Sequence, residues 1–295
     1  MILMKIKVLG LAAALIIALS GCTTPTQPSG TLSIVVSHYP YAYLAQAIGG
    51  DLVTVTNLTQ PGAEPHDLEL TTRQVAQIAT SDLMIYQAGL QPAVEAAVNE
   101  VEPSYPLEVT NIVPLRSHTP DGNPDPHIWL DPAQMITIAE SITAALIEID
   151  PENEHIYADQ LTVLATTLTL LDSSYSTGLA ACERQEFLTS HAAFGYLADR
   201  YKLTQIAISG LSPDAEPSPE RIAEIHQLAQ QYGLTTVFFE TLSSPDLAEI
   251  IASDLGMRTD VLDPIEGITS ASRGTNYPQV MESNLDALRE ANGCL

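Results

Sequence analysis

The stretch DPENEHIYADQLTVLATTLTLLDSSYSTG, residues 150–178, reads as one uninterrupted helix. Asp150 supplies a cap and Pro151 a first-turn residue, and neither Gly nor Pro follows between Glu152 and Gly178. At a rise of about 1.5 Å per residue such a helix reaches roughly 40 Å, longer than an ordinary crossover helix. Residues 151–179 are therefore expected to form a strut between two lobes, although periodicity alone leaves open a helix inside one domain.

Outward from the strut the chain alternates between two periods. On the N-terminal side, residues 31–150, short apolar runs at 32–37, 52–57, 82–87 and 107–112 read as strands with helical stretches between them. Of those stretches, 41–48 and 73–79 carry apolar residues at helical spacing, and Asp131-Pro132 caps a further helix reaching about Glu148. On the C-terminal side, residues 180–295, strands are expected at 186–190, 204–209, 235–240 and 258–262. Helices there run from Ser218-Pro219 to Tyr232-Gly233, over 245–255 and over 277–291. This alternation predicts an α/β fold, each lobe holding a mostly parallel sheet flanked by helices.

The first 21 residues carry Lys5 and Lys7, then an apolar run too short to span a membrane, then Leu19-Ser20-Gly21-Cys22. Small residues directly before a cysteine fit a lipoprotein signal peptide. A lipid on Cys22 would hold the chain on the outer face of the cytoplasmic membrane, with residues 22–30 as a tether; an ordinary signal peptide is the alternative. Setting Cys22 aside leaves Cys182 and Cys294, an even pair in an oxidising compartment, and a disulfide between them is expected rather than two free thiols. Loss of Lys5 and Lys7 with the leader takes the net charge from -25 to -27. Such a surface repels phosphate backbones and anionic headgroups, which argues against nucleic-acid binding and leaves membrane contact to the lipid.

Three histidines stand at loop tips or strand exits. His66 follows Pro65 in a Gly/Pro-rich loop, His127 lies in Asp125-Pro126-His127-Ile128-Trp129-Leu130-Asp131-Pro132, and His191 lies in Ser190-His191-Ala192-Ala193-Phe194. Neutral imidazole is the commonest protein ligand for borderline-soft divalent metals. Asp125, Asp131 or a carbonyl could accept the second ring N–H of His127, with Asp131 better explained as the cap of the helix that follows. In an α/β sheet ligands gather beyond the carboxyl ends of strands, where Asp263 and its competitor Glu240 supply a carboxylate. His38 is a candidate for the cleft wall, and Glu64 for a group beside the metal. His118, His155 and His226 read as surface residues.

These phrases, together with Pro61 to Asp67, Gly210-Leu211-Ser212-Pro213, Glu216-Pro217-Ser218-Pro219 and Phe239-Glu240, resemble the zinc- and manganese-binding lipoproteins of ABC importers, the ZnuA/TroA-like (cluster A-I) solute-binding family. The resemblance runs through most of the mature chain. It implies two α/β lobes joined by a long stiff helix, with one metal at their interface held by His66, His127, His191 and Asp263. Three imidazoles and one carboxylate suit tetrahedral Zn2+, whereas Mn2+ prefers more oxygen donors. Manganese binders of the family carry a carboxylate where His191 stands, which points the same way. The family's zinc members often have a histidine-rich loop before the second ligand motif, but residues 113–126 contain only His118, so no metal-gathering role is expected of it.

The function implied is capture of a divalent transition metal outside the cytoplasm and its delivery to an ABC-transporter permease, by a monomer without catalytic turnover. Affinity should fall below about pH 6.5, where imidazole protonates. Cell adhesion, a role attributed to some relatives, is an alternative. A zinc-dependent hydrolase would need water at the fourth position with Glu240 or Glu64 beside it, and neither an HExxH phrase nor a nucleophile elbow is present.

Overall fold

A computed structural model describes residues 30–116 and 124–295. The signal peptide 1–21, Cys22, the tether up to residue 29 and His118 lie outside the described residues. Each lobe is a four-stranded, wholly parallel sheet. The first comprises β1 (Leu32–Val36), β2 (Val53–Asn57), β3 (Leu83–Tyr86) and β4 (Pro106–Glu108) in the order β2-β1-β3-β4. The second comprises β5 (Glu186–Thr189), β6 (Thr204–Ala207), β7 (Thr236–Phe239) and β8 (Arg258–Val261) in the order β6-β5-β7-β8. The two orders are the same pattern, and each puts a switch in crossover direction beside its first strand, the place where open α/β sheets form a crevice.

Nine helices lie among the described residues: α1 (Tyr39–Gly49), α2 (Thr72–Ala79), α3 (Pro92–Val101), α4 (Pro132–Ile149), α5 (Glu154–Gly178), α6 (Gly195–Tyr201), α7 (Pro219–Tyr232), α8 (Asp246–Leu255) and α9 (Tyr277–Asn292). Their ends follow local chemistry. Asp131 and Ser218 accept backbone N–H groups at the starts of α4 and α7, and Gly233 and Gly293 take left-handed conformations after α7 and α9. The run expected as a strand over 107–112 is cut short: β4 ends at Glu108, whose carboxylate accepts from Thr110 and Asn111 and bends the chain into a short 3-10 turn. His191 lies in the turn between β5 and α6, which starts only at Gly195.

A 3-10 turn over Pro151–Asn153 leads into α5, and together they form the long helix that links the lobes. Tyr157, Leu164, Leu168, Leu171 and Tyr175 are its buried positions, spaced so that one stripe faces inward. That stripe packs against α1 and α4 of the first lobe and α9 of the second. The hydroxyl of Tyr175 donates to the Met281 carbonyl at 2.6 Å, fixing the helix to α9. One apolar cluster runs from Ile34 and Ile85 through Trp129, Ile142 and Leu168 to Phe187, Leu262 and Leu288. A wide rotation of the lobes would open this shared core to water, at a cost of about 25 cal/mol for each Å² of apolar surface exposed.

Cys182, just after α5, is bonded to Cys294, just after α9, and closes a loop of 112 residues around the second sheet.

Candidate metal centre

Each histidine of the three phrases is aimed by its neighbours. His66 sits beyond β2 in a loop turned at Gly62 (φ +84), and its backbone N–H donates to Glu64 Oε1 at 3.1 Å. His127 is held from two sides by Asp125, whose Oδ1 accepts its backbone N–H at 3.0 Å and lies 2.9 Å from its Nδ1. Asp131 instead caps α4, accepting from Ala133 N at 2.9 Å. His191 lies beyond β5, where its Nδ1 pairs with Glu240 Oε1 at the end of β7 and Ser190 donates to the same carboxylate.

The carboxylate brought to these rings is Glu266, not Asp263. One donor atom from each of His66, His127, His191 and Glu266 lies within 4.8 Å of the others. Asp263 is not in this group, and its oxygens are engaged in its own turn: Oδ1 accepts from Ile265 N at 2.8 Å, and Oδ2 accepts from Ser272 Oγ at 2.8 Å and Thr241 Oγ1 at 3.2 Å. The Asn284 side chain grips both its backbone N–H and its carbonyl. Asp263 thus builds the turn after β8, in which Ile265 takes φ +60, a conformation rare for a β-branched residue, and the next residue is presented to the rings. Sequence reading passes over Glu266 because an acid three residues past a strand-end Asp-Pro carries no pattern.

The spacing is that of a coordination sphere. Glu266 Oε1 lies 3.4 Å from His66 Nε2, 3.4 Å from His127 Nε2 and 3.9 Å from His191 Nε2, and the last two nitrogens are 3.3 Å apart. Tetrahedral zinc with bonds of about 2.0 to 2.1 Å separates its donors by roughly 3.3 Å. A carboxylate can only accept, so Asp125 and Glu240 place the ring protons on Nδ1 of His127 and His191 and leave both Nε2 lone pairs facing one centre. Two lone pairs at that distance repel unless a proton or cation lies between them. His66 Nε2 and both Glu266 oxygens are buried without a hydrogen-bond partner, a costly state that a divalent cation among them removes.

Charge is divided to match. Burial alone would push His127 down, but Asp125 and Glu266 together raise it to about 9. Burial likewise works against the Glu266 charge, yet the rings of His127, His66 and His191 hold it well below the ordinary carboxylate range. Burial, then the charge of Glu266, lifts Glu64 to about 8. His38 is not one of the four. It is fully buried, edge-on to Tyr41 and Trp129 with ring centres 4.6 Å from each, and burial drives it down to about 3. Trp129 joins the two sides of the site, donating from Nε1 to Pro264 O at 2.7 Å while its own carbonyl accepts from Tyr277 at 2.6 Å.

Comparison with known proteins identifies the family of the chain. The family model described as zinc-uptake complex component A, periplasmic, matches residues 34–291. The zinc-binding lipoprotein AdcA of Streptococcus pneumoniae is 33% identical over 97% of this chain, which spans 60% of that protein's length. The high-affinity zinc uptake system protein ZnuA of Bacillus subtilis is 31% identical over 88% of this chain and 87% of its own. The crystal structure of the Zn(II)-bound ZnuA-like domain of pneumococcal AdcA matches with a TM-score of 0.78 and 34% identity, over 89% of this chain and 99% of that one.

Proposed function

Because the chain belongs to the family of periplasmic zinc-uptake component A, we propose that it is an extracytoplasmic carrier that captures Zn2+ between its lobes and hands it to the permease of an ABC importer. The observation that carries this reading is the convergence of three imidazole nitrogens and one carboxylate oxygen on one buried centre at zinc-like spacings. His66 and His127 would serve from the first lobe, His191 and Glu266 from the second. Asp125 and Glu240 would fix the tautomers of their rings. Four protein donors leave no open position for a reactive water, so the chemistry is capture rather than turnover. Zinc is favoured over manganese because three of four donors are nitrogen.

A lipid on Cys22 would keep the carrier, acting as a monomer, beside its permease. Mass spectrometry of the mature amino terminus tests this, and an unmodified Cys22 would remove the anchor from the proposal. Competition titration with a chromogenic zinc chelator tests the centre. Wild-type protein is expected to bind one Zn2+ tightly, and the His66→Ala/His191→Ala double variant to lose most of that affinity. Equal binding by both would overturn the assignment.

Proton linkage supplies a second test. With His127 raised to about 9, the metal-free site holds a proton there at neutral pH, and zinc must expel it. Affinity should therefore climb by up to about tenfold per pH unit as pH rises from 7 towards 9, then level off. Calorimetry in buffers of different ionisation enthalpy should count about one proton released near pH 7.5. A pH-independent affinity across that window would contradict the placement of His127 between Asp125 and Glu266.

A further inference from the structure

Behind His127 a second set of contacts crosses from lobe to lobe. The Arg116 guanidinium lies between Asp125 and Asp199 of α6, with Nε 2.6 Å from Asp199 Oδ2 and Nη1 3.5 Å from Asp125 Oδ2. Its backbone is tied into the same group. Arg116 N donates to the Tyr196 hydroxyl at 2.8 Å, that hydroxyl donates to Asp125 O at 3.0 Å, and Asp125 N donates to Arg116 O at 3.1 Å. Gly195 permits this approach: a Cβ there would stand 2.5 Å from Asp125 Oδ2 and collide with the guanidinium.

We propose that Arg116 is a positioning residue that sets the rate at which bound metal leaves, by clasping the Asp125 that aims His127 to the α6 segment that follows His191. The proposal rests on the zinc-carrier reading above. Asp125 divides its oxygens: Oδ1 serves His127, while Oδ2 is buried, makes no hydrogen bond and faces Arg116. Without the guanidinium that oxygen is an uncompensated buried acceptor, and the Asp125-Pro126-His127 segment relaxes away from it. The two Nε2 atoms that meet at 3.3 Å come from opposite sides of this seam, so a drift of α6 from Asp125 parts them directly.

The clasp is also the accessible part of the seam. The His127, His191 and Glu266 side chains are 0% exposed, whereas Arg116 is 26% and Asp199 62% exposed. Arg116 and Asp199 line a surface recess of about 680 Å³, so dissolved ions reach them while the donors stay covered. Salt should therefore loosen the clasp in place.

The experiment is stopped-flow release of Zn2+ from the full chain into excess chelator, at several ionic strengths. Arg116→Gln and Gly195→Ala are each expected to speed release by about tenfold, the lower end of what loss of an outer partner of a metal-bound histidine costs. Gly195→Ala does so without removing a charge. Arg116→Lys should recover part of the wild-type rate, and release should quicken with salt in wild type but not in Arg116→Gln. Wild-type rates in both Arg116→Gln and Gly195→Ala, or salt-independent release from wild type, would overturn the proposal. If Arg116→Gln does not fold, Gly195→Ala and the wild-type salt series still decide it. Failure of wild type to bind zinc at all would sink the carrier reading instead, and loss of binding only in His127→Ala keeps the two apart.

Discussion

Glu266→Gln should weaken zinc binding by at least about a hundredfold, beyond the usual effect of altering an outer partner of a metal ligand, whereas Asp263→Asn should cost less than about tenfold. Both substitutions keep side-chain shape and remove one negative charge, so the general field of the protein changes alike and only the local role differs. Glu266 places a carboxylate oxygen 3.4 Å from two imidazole nitrogens. An amide there offers a weaker neutral donor, and its NH2 group, if turned inward, meets the cation. Asp263 spends its oxygens on Ile265, Ser272 and Thr241, and an Asn can keep an acceptor for the Ile265 N–H while its amide donates to a hydroxyl. Its residual cost comes from loosening the turn that holds Ile265 at φ +60 and so aims Glu266. Equal losses in the two variants, or the larger in Asp263→Asn, would return the carboxylate role to Asp263.

The contrast between these acids marks what could be read without coordinates. Strands such as β1 and β3 are largely buried and written mostly in apolar residues, and the linking helix announces itself by the lack of Gly and Pro over 152–177. Asp131 was legible as a cap because Asp-Pro has a local meaning. Loop phrases stiffened by proline marked His66 and His127, and the structure does gather those rings with His191. Other features depend on long-range geometry. Glu266 reaches the rings only because a β-branched residue adopts a left-handed turn, and Ile265 gives no sign of that in sequence. Glu240 could be placed at the end of β7 but not recognised as the partner of His191, since the two are 49 residues apart. The loss of the second half of the expected 107–112 strand follows from side chains of Thr110 and Asn111 competing for Glu108, a contest that apolar periodicity does not register.

Removing the disulfide, as in Cys182→Ala/Cys294→Ala, should lower unfolding stability by about 3 to 4 kcal/mol while leaving zinc affinity within about twofold. The loop closed is 112 residues, and the chain-entropy account gives close to 4.7 kcal/mol for a loop near that length. Nearly all of that should act on the unfolded chain, because the folded ends are held independently. Arg184 N donates to Asn292 O at 3.1 Å, Asn292 Nδ2 returns to Arg184 O at 3.0 Å, and the Arg184 side chain reaches Ala291 O. The side-chain hydrogen bonds and ion pairs of His66, His127, His191 and Glu266 involve neither cysteine, so their spacing should survive. Melting should fall by about 10 °C, taking roughly 2 to 4 °C per kcal/mol for a chain of this size. The urea m-value should rise, since an unfolded second lobe freed of its cross-link exposes more surface. A melting loss below about 2 °C would mean the bridge adds nothing beyond the Arg184 and Asn292 contacts, and an unchanged m-value would move its effect from the unfolded chain to the native one.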